Sequence, residues 1–120
     1  MKIVLDINTK LEAVLAGAVS ANQPEVHVVY QDYTFANEKS TPTLFRAALN
    51  NTTDVTILAA PVANPRREVV YISVYNKDTA SATVIIKTDD GTERIILRKP
   101  LATLETLHGG EQSGWYVTNA

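Results

Sequence analysis

The chain has 120 residues, of which 45% are hydrophobic, a formal net charge of −2 and no cysteine. This length predicts one domain with a buried core. The small negative charge lacks the basic excess of a nucleic-acid-binding protein, and a chain without cysteine has no disulfides and no thiolate metal sites. Asp6 and Asn8 interrupt the first apolar run. We therefore predict no signal peptide, and no run approaches the roughly 20 apolar residues of a membrane-spanning helix.

The start of the chain predicts two short strands. Residues 2–7 alternate, with Ile3 and Leu5 on one face, and residues 11–15 are mostly apolar. The polar residues between these runs favour a turn and therefore a β-hairpin. One helical stretch over residues 11–18 is the alternative, because apolar side chains there also recur at helical spacing.

The run EVHVVYQDYTF, residues 25–35, predicts a longer strand. Val26, Val28 and Tyr30 share one face of this strand, and a mixed set of side chains that includes His27 lies on the other face. A strand with one apolar face and one mixed face is typical of a sheet that packs on a core with one side only.

The middle of the chain predicts a long loop. Residues 36–52 are rich in turn-forming residues, and we predict a single helical turn over residues 44–49. A long loop in a compact domain often has a function, so a contact with a neighbouring molecule is expected here. Residues 54–60 predict the next strand, and Pro61 and Pro65 mark a bend after it.

The second half of the chain predicts an antiparallel meander. Residues 69–75, 83–87 and 92–99 alternate between apolar and polar side chains, and weaker runs follow at 103–107 and 114–118. Such alternation is the pattern of strands that bury one face. The predicted core of this half comprises Val70, Ile72, Val74, Val84, Ile86, Ile95 and Leu97.

Together these runs predict an all-β fold. About eight or nine short strands with turns roughly every 8–12 residues are typical of an antiparallel β-sandwich, of jelly-roll-like or immunoglobulin-like layout. We predict one domain, in which residues 1–35 supply strands and a candidate intersubunit arm, and residues 36–120 supply the body of the sandwich.

No motif predicts catalysis or a cofactor site. His27 and His108 are far apart in the sequence, and His108 is expected in a glycine loop. Asp89 and Asp90 precede Gly91, which fits a tight hairpin turn better than a cation site, because Asp-Gly suits the positive φ of such turns. We therefore predict a protein that is not an enzyme and that uses no metal and no cofactor.

Two alternative functions depend on which side chains meet in space. A hydrolase would require groups such as His27, Asp32 and Glu105 to share one cleft. A carbohydrate-binding module would require an exposed aromatic platform, although aromatic residues at alternate strand positions more often belong to a core or a subunit interface. The candidate platform comprises Tyr30, Tyr33, Trp115 and Tyr116.

The opening segment, KIVLDINTKLEAVLAGAVSANQPEVHVVYQDYT, resembles a group of small tailed-bacteriophage proteins. Those proteins begin with a KIVL-type strand, continue through LAGAV-x-x-NQ and reach a strand that ends near Tyr-x-Asp. The later segment, TTDVTILAAPVANPRREVVYISVYNKDTASATVIIKTDDGTERII, is similar to their LAAP…R-x-V…I-x-V-Y-N-x-D core and T-V…D-x-G-T-x-R-I-L hairpin. The resemblance covers most of the chain and is weakest over residues 35–50.

The resemblance implies a structural protein of a tailed-phage virion, made in the cytoplasm of a host bacterium. A capsid decoration or cement protein is the first expectation, and a tail, baseplate or fibre-attachment component, or a carbohydrate-binding module for host attachment, is the alternative. The expected partners are further copies of the chain, for example in a trimer, and other virion proteins such as the major capsid protein or tail proteins, with no nucleic acid and no membrane. The predicted interface comprises Ile3, Leu5, Val26, Tyr30, Tyr33, Phe35, Leu44 and Phe45.

Overall fold

A computed structural model describes residues 1–119, and these residues form ten β-strands in two packed sheets. Within this range no helix is long and apolar enough to cross a membrane. The all-β prediction is confirmed. The strands are β1 (Ile3–Asp6), β2 (Lys10–Leu15), β3 (Glu25–Tyr33), β4 (Thr43–Ala48), β5 (Val55–Leu58), β6 (Arg66–Tyr75), β7 (Ala82–Asp89), β8 (Glu93–Leu101), β9 (Thr106–Gly110) and β10 (Gly114–Thr118).

The two sheets are antiparallel throughout. Sheet A has the strand order β10-β9-β6-β3-β4, and β1 pairs with β6 as the sixth strand. Sheet B has the order β5-β2-β7-β8. The pairs β3–β4, β7–β8 and β9–β10 join strands that are consecutive in the chain, whereas every other connection between the ten strands passes from one sheet to the other.

Alternation along the strands builds the core between the two sheets. In β3, Val26 and Val28 are buried, and the residues between and beside them are only half-buried. The same period of two buries one face of β6 and one face of β7, because successive side chains of a strand point to opposite sides of its sheet. The predicted core residues that are fully buried are Ile72, Val74, Val84 and Ile86.

A β-bulge in β6 corrects one predicted core residue, Val70. Val29 of β3 pairs with Tyr71, but the next residue, Tyr30, pairs with Val69. Val70 is therefore the extra residue of the bulge and is only half-buried, while Val69 is fully buried in its place. A bulge shifts the alternation by one position, so a strict period of two fails beyond it.

A second bulge, in β8, corrects another predicted core residue, Ile95. Ile86 of β7 pairs with Leu97, but the next residue, Lys87, pairs with Ile95, so Ile96 is the extra residue. Leu97 consequently packs against the core, whereas Ile95 lies on the outer face of sheet B and is 63% exposed.

The strand β4 was not predicted, and it brings the number of strands to ten, against the eight or nine expected. It replaces the helical turn predicted over residues 44–49. Its sequence, TLFRAA, does not alternate, and its burial pattern shows five exposed residues and one half-buried residue. The pairing with β3 over Glu25–Tyr30 determines its conformation, because an open sheet edge overrides a weak local preference.

The predicted hairpin between the first two strands is also wrong. β1 pairs with β6 in sheet A, and β2 pairs with β5 and β7 in sheet B. The intervening turn is present: the Asp6 carboxylate accepts hydrogen bonds from the Asn8 backbone N–H at 2.9 Å and the Thr9 hydroxyl at 2.7 Å. This turn carries the chain from one sheet to the other instead of folding β2 back onto β1.

Strict alternation predicts that Ile86 and Ile95 are both core residues, whereas the β8 bulge places only Ile86 in the core. We therefore expect their replacement by alanine to change the free energy of unfolding by different amounts. Ile86→Ala should lower the free energy of unfolding by about 2–5 kcal/mol, because it removes fully buried methylene groups. Ile95→Ala should lower it by no more than about 0.5 kcal/mol, because that side chain is mostly in water. Urea-induced unfolding measures both, and equal losses would contradict the register.

Candidate functional site

The strand β4 forms an open edge of sheet A that carries exposed apolar side chains on both faces. Phe45 pairs with the buried residue Val28 and lies on the same face, yet it remains 41% exposed at the margin of the sheet. Leu44 pairs with Val29, lies on the opposite face and is 45% exposed. An edge of this kind presents unpaired backbone N–H and C=O groups to another strand.

The structure divides the eight predicted interface residues into two groups. The first group, Ile3, Leu5, Val26 and Tyr33, is buried inside the chain's own core or between its strands. In the second group Tyr30 is partly buried against the core. The three other members are exposed: Leu44 and Phe45 are neighbours on β4, and Phe35 lies in the β3–β4 connection.

The other edge strands of the two sheets are less open to pairing. The edge of sheet B formed by β8 carries Arg94, Arg98, Lys99 and Pro100 in addition to its bulge, and charges, proline and bulges all oppose edge-to-edge pairing. The edge strands β1, β5 and β10 have four, four and five residues. The edge β4 is longer, with six residues of which only Arg46 is charged, so it offers a new strand more backbone groups than these three edges do.

The candidate aromatic platform is not assembled as one surface. Tyr33 is buried, and Tyr30 and Trp115 pack against the core. Tyr116 is exposed on the outer face of sheet A, where its ring stacks on that of His108 at 4.7 Å between centroids. The four predicted residues therefore do not form a joint stacking surface for a sugar.

His108 lies in strand β9 and not in a glycine loop. Its Nε2 is 2.8 Å from the Thr118 hydroxyl, and its Nδ1 is hydrogen-bonded to the Tyr71 hydroxyl. The next residue, Gly109, lies against the indole ring of Trp115. A Cβ at this position would lie 2.6 Å from that ring, so a larger residue does not fit. Gly109 thus makes room for Trp115, which packs against the core, whereas a Cβ at Gly110 would lie 2.8 Å from the Ser113 hydroxyl.

The three groups of the hydrolase alternative have separate partners. Asp32 forms an ion pair with Arg67, with Oδ1 2.7 Å from Nε, and this hydrogen bond lowers the pKa of the Asp32 carboxyl. Glu105 accepts a hydrogen bond from the Ala102 backbone N–H. His27 lies on the outer face of sheet A, paired with Arg46 of β4. Among the described residues 1–119, no hydrogen bond or ion pair joins any two of these three groups.

The turn predicted at Asp89-Asp90-Gly91 is confirmed. The Asp89 carboxylate accepts a hydrogen bond from the Gly91 N–H at 2.9 Å, and the Asp90 carboxylate accepts one from the Thr92 N–H at 3.1 Å. Gly91 has φ +103°, which L side chains rarely adopt. These two carboxylates therefore stabilise a hairpin.

A charged cluster on the outer face of sheet B was not predicted from the sequence. Glu12 of β2 pairs with Lys87 of β7, and both side chains are buried. The Lys87 Nζ is 2.8 Å from Asp54 and 3.1 Å from Glu93. The hydrogen bond to Asp54 raises the pKa of Lys87. Glu12 stands between the apolar residues Leu11 and Ala13 of the strand KLEAVL, and this is the sequence signal of the cluster.

Asp78 lies in the β6–β7 connection, and its side chain joins this connection to the β2–β3 connection. Its carboxylate accepts hydrogen bonds from the backbone N–H groups of Ser20, Ala21 and Asn22 at 2.8–3.0 Å. These donors lower the pKa of Asp78 from its ordinary 3.8 to about 2. Both oxygens are engaged by backbone donors, so the low pKa here reflects a structural cap that fixes the β2–β3 connection.

Comparison with protein-family models, with curated proteins and with solved structures finds no match for this chain. The fold and the surfaces described above define its class, an antiparallel β-sandwich with an open edge strand, and the function is inferred from them.

We expect Asp78 to make folding sensitive to acid. The folded pKa lies below the unfolded pKa, so its stabilising effect is complete above about pH 5 and is lost as the pH falls through 3.8 towards about 2. Asp78→Asn should lower the melting temperature at pH 7, and the difference from the wild type should shrink steadily below pH 4. Thermal unfolding followed by circular dichroism between pH 2 and 7 measures this, with Glu38→Gln, an exposed acid in the β3–β4 connection, as control. A difference that does not change with pH would contradict this role.

Proposed function

We propose that this protein is a non-enzymatic structural component of a tailed-phage virion, and that it acts as a capsid decoration or cement protein. Support comes from the resemblance of its sequence to small tailed-phage proteins and from the open edge β4, which is the single structural observation on which the proposal depends. Cement proteins stabilise a particle by linking many copies, so they need surfaces that bind other folded chains without chemistry.

The edge β4 supports assembly through strand addition. A strand of a second molecule that pairs with Thr43–Ala48 would satisfy the free backbone groups and would cover Leu44 on one face and Phe45 on the other. Main-chain hydrogen bonds then supply affinity, and the side chains on alternate faces supply specificity. Phe35, in the connection between β3 and β4, is a further exposed apolar side chain, 85% accessible.

The proposed occupant of this edge is a second copy of the chain. Most soluble assemblies are symmetric homo-oligomers, and a heterologous contact between β4 and another surface of the next copy closes into a ring such as a trimer when the rotation permits. The low charge of β4 is compatible with such a contact, because β4 brings a single charged side chain, Arg46, to it. The major capsid protein would then bind other surfaces of the oligomer.

A tail, baseplate or fibre-attachment role is the second candidate, because the same edge would serve strand addition in a tail. The carbohydrate-binding alternative has less support, since three of its four aromatic residues pack in or against the core.

We expect Phe45→Asp and Leu44→Asp to weaken self-association. A charged side chain in the centre of a buried strand interface should cost about 2 kcal/mol or more, roughly a thirtyfold weaker association. Val62→Asp is the matched control, because Val62 is an exposed apolar residue (95%) in the β5–β6 connection, away from β4. Analytical ultracentrifugation measures the oligomeric state, and circular dichroism verifies that each variant is folded.

Two results would contradict this proposal at different levels. A wild-type protein that stays monomeric at high micromolar concentration would exclude self-association through β4. Electron microscopy of virions assembled with and without the protein tests the role itself. Particles that lose stability to heat or low salt without the protein indicate cement, loss of tails indicates a tail component, and absence of the protein from purified virions excludes both.

A further inference from the structure

The charged cluster of sheet B contains an unsatisfied buried acceptor. Among the side chains of residues 1–119, the Glu12 Oε1 is the buried polar atom without a hydrogen-bond partner. The other oxygen, Oε2, is 3.3 Å from the Lys10 Nζ, and only 4% of the Glu12 residue is exposed. A buried carboxylate oxygen without a donor is costly, so the site lacks a proton, a donor or a cation.

The surroundings of Glu12 favour a cation. Oxygen atoms of Glu12, Asp54 and Glu93 all lie within 4.8 Å of one another, a spacing that fits carboxylate ligands around one ion. Asp54 and Glu93 are exposed and Glu12 is buried, so one side of the cluster is closed by protein and the other is open to water. The ammonium groups of Lys10 and Lys87 face these three carboxylates, and Lys10 also lies 3.9 Å from an Asp89 oxygen. Four carboxylates against two ammonium groups leave the cluster with an excess of negative charge.

Lys87 partly compensates this charge from within. Its ammonium group is 2.8 Å from an Asp54 oxygen and 3.1 Å from a Glu93 oxygen, but it forms no ion pair with Glu12. Lys87 therefore holds Asp54 and Glu93 together and leaves the Glu12 oxygen unpartnered. A divalent ion at the centre of the three carboxylates would supply the missing partner and would compete with the ammonium group.

We propose that Glu12, Asp54 and Glu93 form a binding site for a hard divalent cation, namely Ca²⁺, with Lys87 as an internal competitor. The donor set consists of carboxylate oxygens only, which suits Ca²⁺ and not Zn²⁺. The open side admits the waters that complete six or more ligands. Competition from Lys87 makes the affinity modest, and a dissociation constant of about 10⁻⁴–10⁻³ M is expected. This inference is independent of the proposed virion role.

Isothermal titration calorimetry of the chelator-treated full chain with CaCl₂, and separately with MgCl₂, tests the site. The wild type should bind one Ca²⁺ saturably and should bind Mg²⁺ more weakly, and its melting temperature should rise with Ca²⁺ concentration because only the folded state holds the three oxygens together. Glu12→Gln should weaken Ca²⁺ binding by about tenfold or more, because it removes one charge from the centre of the site. Glu38→Gln, an acid outside the cluster, should bind as the wild type does.

Lys87→Met provides the decisive comparison. Removal of the internal competitor should tighten Ca²⁺ binding by about tenfold or more. Without Ca²⁺ this variant should melt below the wild type, since Asp54 and Glu93 then repel each other, and Ca²⁺ should reverse the loss. The proposal is overturned if neither the wild type nor Lys87→Met binds Ca²⁺ saturably at millimolar concentration. It is also overturned if Glu12→Gln binds Ca²⁺ unchanged, or if that variant melts above the wild type while Ca²⁺ has no effect, a result that would identify Glu12 as a buried neutral acid.

Discussion

The pairing of β6 on both of its sides is the constraint on which the rest of the sandwich depends. This ten-residue strand pairs with β3 along one side, and along the other with β9 over Tyr71–Tyr75 and with β1 over Arg66–Val69. Two partners share one edge because the bulge at Val70 bends the strand between them. The same bulge brings Val69 into the core, and Arg67, which forms the ion pair with Asp32, lies two residues before Val69.

The sequence predicted the class of fold and most of the strands, because burial on one face imposes alternation wherever a strand is regular. Ile72, Val74, Val84 and Ile86 are core residues for this reason. The alternation failed at Val70 and Ile95, where a bulge inserts one residue. A bulge is a property of two paired strands, so no periodicity within one strand reveals it. The strand β4 was missed for a related reason, since its conformation depends on the edge of β3.

The candidate sites were harder to predict than the fold, because each depends on residues that are distant in the sequence. The Asp78 cap joins residues more than fifty positions apart, and the sheet B cluster joins β2, β7, β8 and the residue before β5. The Asp89–Gly91 turn was predictable because its chemistry is local. It was also difficult to predict which apolar side chains are exposed. The sequence does not distinguish Ile3 and Leu5, which are buried, from Leu44 and Phe45, which are exposed, because the difference depends on the strand order.

The open edge and the charged cluster are joined by one well-ordered connection. After β4 the chain buries Leu49 and turns at Asn51, which has φ +52° and whose side-chain oxygen accepts hydrogen bonds from Val19 and Gln23. Asp54 follows directly and reaches Lys87. This connection holds Asp54 in place from the side of β4, and a cation shared by Asp54 and Glu12 would hold the same segment from the side of sheet B. Binding at the cluster would therefore restrain the segment that follows the assembly edge without contacting the edge itself.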